Sequence, residues 1–373
     1  MDQFDVVVIG LGVLGSAASY HAALKGAKVL GLEQFELGHV HGASHDTSRI
    51  VRTSNPAPEY VALAKSAYKD WAALENAADQ KLLSITGGVV FFPKDDKIPT
   101  MRVGDYTTSL DTNNVPYELL DAQEVKRRWP QFDIEDSVET VYTADTGIAH
   151  ANKTVSAMQH LARSHAYNTS VLGGVVIETS KGKFRARKVV LTTDAWTNKL
   201  LAPLGVHIPL SVMQEQVTYF KPTNPLAFES DNFPVWIWGG ETGFYGFPCF
   251  GEPTIKAARD TSNNFMTPEE RTYVHSPQLL QQLNSFMDKT MPDNGRQTLR
   301  TITCQYSITP DRRFVISPLE KHKDVIVGLG AAHAFKFAPA FGRVLAELAV
   351  DGQTGEDISK FEIPKSASNT SKL

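Results

Sequence analysis

Gly10-Leu11-Gly12-Val13-Leu14-Gly15 sets three glycines at the spacing a dinucleotide phosphate cradle needs. Gly10 allows a tight turn, Gly12 lets backbone amides approach a pyrophosphate, and Gly15 permits a helix to pack closely on its strand. Amides at Val13 and Leu14, with the helix start beyond them, offer partial positive charge to phosphate oxygens. Glu33, eighteen residues after Gly15, can accept a hydrogen bond from a ribose hydroxyl and disfavours a 2′-phosphate, with Gln34 beside it. The motif specifies a dinucleotide without choosing between NAD and FAD. Three further segments concentrate reactive side chains: residues 42–52, with Ser44, Arg49 and Arg52; residues 245–256, with Tyr245 and Lys256; and residues 304–311 with 333–337, holding Cys304, His333 and Lys336. Guanidinium and ammonium groups recognise anions, a thiol is a latent nucleophile, and an imidazole moves protons near neutral pH.

These residues need elements to hold them. Residues 4–10 read as a buried parallel strand, 16–25 as a small-residue helix, and 28–32 as a second strand ending at Glu33, which completes a βαβ unit. Helical spacing recurs over 60–74, 154–164 and 338–350, with Gly352 beyond the last. Residues 88–93, 175–178, 188–192 and 325–329 read as strands, whereas 216–220, 235–238 and 242–247 alternate like antiparallel strands. The two kinds take turns along the chain, which predicts two domains built from discontinuous segments. Lys256, between Ile255 and Ala257-Ala258, reads as an inward-pointing strand residue rather than a surface lysine. Cys249 reads as a core thiol.

Taken in order, the motifs resemble the monomeric sarcosine oxidase family, covalent-FAD oxidases of secondary amino acids. The resemblance rests on the glycine motif with its acid, the Gly/Ser-rich run into Arg49-x-x-Arg52, and Lys256 on a strand. Cys304-x-Tyr306-x-x-Thr309-Pro310-Asp311 and His333-Ala334-Phe335-Lys336 complete it, over nearly the whole chain. It implies an α/β (mixed α+β) fold in which an FAD-binding Rossmann-like domain (1–85, 146–212 and 305–364) interleaves with an antiparallel-sheet substrate domain (86–145 and 213–304). Residues 365–373 would form a flexible tail. It implies that Cys304 forms a thioether to the flavin, that Arg52 and Lys336 bind the substrate carboxylate, and that Arg49 lies against the flavin. Lys256 would assist electron transfer to O2. Tyr245 and His333 would line the pocket, His333 as a proton relay or else as a satisfied core histidine. Cofactor contacts would include Gly10, Gly12, Val13, Leu14, Gly15, Glu33, Gln34, Ser44, Arg49, Cys304 and Lys336, with no metal. A helix beginning near Pro339 would aim its N-terminus at the flavin. The implied activity is oxidation of sarcosine or a similar N-methyl amino acid by a monomer, giving an imine, then aldehyde and amine, and hydrogen peroxide. Pipecolate and fructosyl amino acids are alternative substrates, and Phe247, Trp236 and Trp238 are candidate pocket walls.

Four positions depart from the family pattern. Ala334 replaces a glycine, Asp260 falls near a family histidine, Asp194 replaces a glycine before Ala195-Trp196, and the stretch 165–173 looks short of an adenine-side strand. Composition bounds the reading from outside. The 373 residues, 42% hydrophobic and 21% charged, suffice for two domains, and a formal charge of −4 argues against nucleic acid. No apolar run approaches the ~20 residues of a membrane span. Two cysteines cannot form a disulfide framework. The closing Ser371-Lys372-Leu373 reads as a peroxisomal address, so an import receptor is an expected partner. Two readings of other classes remain open here: a nicotinamide-dependent dehydrogenase and a non-catalytic flavin-binding protein.

Overall fold

The strand Asp2–Ile9 holds Val6, Val7 and Val8 with no exposed surface. Such a continuous apolar run is what a parallel strand covered on both faces requires. A computed structural model describes residues 1–94, 101–165 and 174–364. In it this strand lies between Val29–Leu32 and Gly182–Leu191, parallel to both, and Gly182–Leu191 pairs in parallel with Val325–Leu329. Antiparallel edges, Val175–Thr179 and Val315–Pro318, complete a six-stranded sheet. The helix Val13–Leu24 crosses over between the first two strands and packs against Ala338–Val350. Small residues make that approach possible: a Cβ on Gly342 would come within 2.2 Å of the Ala17 Cβ.

A second sheet of eight strands runs Gln297–Ile308, Ser211–Lys221, Ile255–Arg259, Phe244–Phe247, Val235–Trp238, Gly88–Phe92, Glu139–Thr143, Glu118–Leu120. Its far face is sealed by the helix Pro277–Thr290, whose Leu283 and Met287 join Trp236, Phe220 and Phe228 in one apolar cluster. A three-stranded sheet, Ser48–Val51, Gly147–His150 and Leu83–Ile85, adds a small third layer. Strands of the first sheet come from residues 2–32, 175–191 and 315–329, and those of the second from 88–143 and 211–308.

Several elements differ from the sequence expectation. The helix expected from residue 16 begins at Val13, so that Gly15, expected to let the helix pack closely on its strand, does so from inside its first turn. Strand 242–247 starts at Phe244, and 188–192 is the end of the longer Gly182–Leu191. Val235–Trp238 is antiparallel to one neighbour but parallel to Gly88–Phe92, a pairing across more than a hundred residues that local alternation does not encode. Trp236 faces the apolar cluster and stacks on Phe286 rather than lining a pocket. Among the described residues no helix is long and apolar enough to cross a membrane, and no group of three or more His, Cys, Asp or Glu is placed to hold a metal. The segment 166–173 and the tail with Ser371-Lys372-Leu373 lie outside the described residues.

Candidate functional site

A cavity of about 1720 Å³ opens where the C-terminal ends of the parallel strands meet the face of the eight-stranded sheet. That is where open α/β sheets bind ligands. Gly10 turns there at φ 90°, and a Cβ on it would meet the Thr192 carbonyl oxygen at 2.6 Å. Gly15 is tighter still, since its Cβ would overlap the Gly10 oxygen. Ser44 Oγ accepts the Val13 N–H at 2.9 Å and so satisfies one donor of the helix start. Glu33 is half-buried and accepts the N–H groups of Leu11, Gln34 and Phe35, with His39 Nε2 3.6 Å away. Burial pushes its carboxyl up, but His39 and the Leu11 and Phe35 amides outweigh burial and hold it below its ordinary value.

Lys256 lies on the cavity wall and is 3% exposed, which excludes the surface reading. Its Nζ donates to Asp46 Oδ2 at 2.5 Å and to both the carbonyl and the hydroxyl of Ser48 at 3.1 Å. Arg49 donates to the carbonyls of Ser48, Ala43 and His45, and its guanidinium stands over the Phe335 ring. Cys304 is buried on the same wall. Burial raises its thiol pKa, against the nearby charges of Arg49 and Arg271. Arg271 in turn ties the 40–41 backbone to the Thr303 carbonyl.

A second cluster shares the cavity. Arg52 and Lys336 both line it, Arg52 beside Tyr106 and Lys336 donating to the His333 carbonyl at 2.7 Å. Lys336 is 9% exposed; burial drives its pKa well below the ordinary value and the Arg52 charge lowers it further, only partly offset by Asp260. Two basic side chains on one cavity wall, one of them buried, call for an anion. His333 is not a core histidine: its side chain is 42% exposed, its ring meets Tyr306 edge-on, and Nε2 lies 3.4 Å from Asp260 Oδ1. Tyr245, Phe247 and Trp238 complete the wall. Cys249 is buried in the apolar cluster behind the second sheet.

A model of the FAD dependent oxidoreductases matches residues 5–348. A monomeric sarcosine oxidase of Streptomyces avermitilis is 33% identical, over 96% of this chain and 97% of its own. The chain belongs to the sarcosine oxidase family of FAD-dependent oxidoreductases. A human peroxisomal sarcosine oxidase is 29% identical over 98% of this chain and 96% of its own. Among solved structures, NikD, an unusual amino acid oxidase essential for nikkomycin biosynthesis, superposes with a TM-score of 0.84 at 26% identity over the whole of both chains. Membership makes the protein an FAD-dependent enzyme that oxidises the CH–NH bond of an amino acid, and it retires the nicotinamide-dependent reading.

The residues present fit FAD. The glycines let the turn pack against Thr192 and Ser44 where a Cβ would collide, and buried polar atoms on the cavity wall lack protein partners, among them both side-chain atoms of Gln305 and the Ser307 hydroxyl. Asp194, one of the departures from the family pattern, takes φ 45°, a conformation that favours glycine. Burial pushes its carboxyl up to about 6.

Sequence reasoning passed over two buried carboxylates at this site. Asp46 sits inside the basic motif, where its acidity was the available signal. Glu215 lies in the polar run Gln214-Glu215-Gln216 within an otherwise apolar strand and pairs directly across from Cys304. Burial pushes Glu215 up to about 8, although Ser262 donates its N–H and hydroxyl to it. A carboxyl raised in this way stabilises the fold fully below its unfolded pKa, and that contribution is lost as pH rises through the folded value. Glu215→Gln keeps an acceptor for Ser262, so calorimetry should find no gain in Tm near pH 4 and a gain of several degrees by about pH 8. A difference constant with pH would show that Glu215 is ionised in the fold.

Proposed function

We propose that this enzyme oxidises sarcosine or a similarly small secondary amino acid with O2 as acceptor, giving an imine that water hydrolyses to aldehyde and amine, together with hydrogen peroxide. The observation that carries the reading is the paired cations Arg52 and Lys336 on one cavity wall, flanked by Tyr245 and Phe247. A substrate carboxylate answers both charges, and Arg52 supplies the fork for two parallel hydrogen bonds. The bound carboxylate favours the charged form of Lys336, against burial and Arg52, and fixes the amine nitrogen and the carbon beside it within the cavity, which supplies much of the rate.

FAD, when bound, would accept the two electrons and hydrogen of the C–N oxidation and deliver them to O2. The turn Gly10–Gly15, with the Leu14 amide and the Ser44 hydroxyl that accepts the Val13 N–H, would hold its pyrophosphate, while Glu33 with Gln34 would face the ribose and Arg49 the ring. Cys304 would hold it covalently. Lys256 supplies fixed positive charge where charge develops on O2. The division into a cofactor domain (1–85, 146–212, 305–364) and a substrate domain (86–145, 213–304) puts Arg49, Arg52 and Lys336 in the first, with Lys256 and Tyr245 in the second.

The test is peroxide release by the purified protein with sarcosine, N-methylated larger amino acids and pipecolate. Sarcosine-dependent peroxide with a KM below that for the larger amines supports the reading. Peroxide with pipecolate alone would move the substrate to a cyclic amine, which the aromatic walls Trp238 and Phe247 also suit. No peroxide with any amine would overturn it. Human and mouse relatives are named peroxisomal, and a peroxide product suits that organelle, so import by the peroxisomal receptor belongs to the same reading. Cytosolic fluorescence of a full-chain fusion in cells with working import would remove it.

A further inference from the structure

An ammonium has three N–H donors, and those of Lys256 are all engaged: one by Asp46 Oδ2 at 2.5 Å, two by the Ser48 carbonyl and hydroxyl at 3.1 Å. Asp46 is itself fixed. Its Oδ1 accepts the Tyr219 hydroxyl at 2.6 Å, and Arg49 Nη1 stands 3.8 Å from Oδ2. The side chains of Lys256 and Asp46 are 4% and 8% exposed, and the rings of Phe247 and Tyr219 flank the ammonium at 4.8 and 5.7 Å. Asp46 also has φ 84°, in the left-handed region that glycine favours. A non-glycine residue persists there when surrounding contacts over-determine it, and such residues gather at functional sites. Here those contacts are the carboxylate's own.

We propose that Asp46 is the positioning residue for Lys256, holding its ammonium at one point on the cavity wall and thereby setting how fast the reduced cofactor gives its electrons to O2. This rests on the reading of Lys256 as the cation that serves the O2 step. The groups facing Lys256 leave this task to Asp46. Strand Ser48–Val51 contributes Ser48 and the cation Arg49; Ser211–Lys221 and Phe244–Phe247 contribute tyrosines that burial keeps protonated. Gln297–Ile308 contributes Cys304, also kept protonated by burial, and the loop contributes His45, kept neutral by burial and by Arg49. Asp46 is the anion in contact with both Lys256 and Arg49. Without it a buried ammonium faces an arginine and gives up its proton at lower pH, because burial and a like charge act together.

The experiment uses holoenzyme reduced with dithionite and mixed with O2, following re-oxidation against pH, with the flavin midpoint potential and Tm measured on the same samples. Wild type should lose rate as pH rises through the Lys256 pKa. Asp46→Asn keeps the shape and removes the charge, and should move that loss roughly 1–3 units lower in pH, with a parallel change in the pH dependence of the potential. Asp46→Gly should show the same displacement while relieving the backbone, and it serves if the asparagine variant fails to fold. Profiles that superpose on wild type, with only Tm altered, would overturn the proposal by assigning Asp46 a structural role. Lys256→Met separates the two layers. If it re-oxidises as fast as wild type, the O2 reading of Lys256 itself fails. If it is slow while both Asp46 variants keep the wild-type profile, the positioning role alone fails.

Discussion

Purified Cys304→Ser protein is expected to release its flavin into the supernatant on acid precipitation, whereas wild type keeps the colour in the pellet. Cys304 is buried on the cavity wall and its thiol donates to the neighbouring Gln305 carbonyl at 3.7 Å, a contact that carries little structural weight. Serine is nearly isosteric and adds no charge. Cys249→Ser is the matched control, since Cys249 lies in the apolar cluster away from the cavity, and its loss should leave the pellet coloured. Flavin in the supernatant of wild type would sink the tether and leave Cys304 as a plain wall residue.

Arg52→Ala is expected to lower kcat/KM for the amino acid steeply. Removing one member of a charged hydrogen-bonding pair that bound substrate closes off from water costs about 2–5 kcal/mol, which corresponds to roughly 30-fold to several-thousand-fold. Most of the loss should fall in KM if the carboxylate contact is made equally in the ground state. Arg52→Lys should recover little, because a point charge cannot replace the planar fork. Arg52 is only half-buried and its side-chain contacts are Ser54 at 3.4 Å and the Tyr106 ring, so Tm should change little. Unchanged kcat/KM would take Arg52 out of the substrate site, and with it the carboxylate clamp.

The glycine turn, its flanking strands and the terminal helix Ala338–Val350 were legible because each is written in a short window: a valine run, fixed glycine spacing, or a 3.6-residue apolar period. The strand Gln297–Ile308 was not. Its residues are half polar, and it is a strand because it pairs along its length with Ser211–Lys221, far away in sequence. The same long-range pairing brings Glu215 opposite Cys304. Nothing near Asp46 signals a left-handed backbone, since that conformation is fixed by Lys256 and Tyr219 from other strands. His333 and Trp236 make the complementary point. For His333 residue type left a pocket place and a core place both open, and packing puts it on the cavity wall, whereas Trp236, expected in the pocket, is packed into the core.

The order of strands in the parallel sheet bears on when the enzyme can acquire its cofactor. Val8 in the first strand is in register with Val190, and Val190 with Ile326, so the sheet that carries the glycine turn needs segments spread over most of the polypeptide. Such high contact order delays assembly, because distant partners must be synthesised before the first strand has neighbours. The N-terminal nucleotide motif leaves the ribosome early but gains its supporting walls late. The walls of the cofactor site are therefore complete after residues as far as Val325–Leu329 have been made, and a covalent bond to Cys304 would come later still.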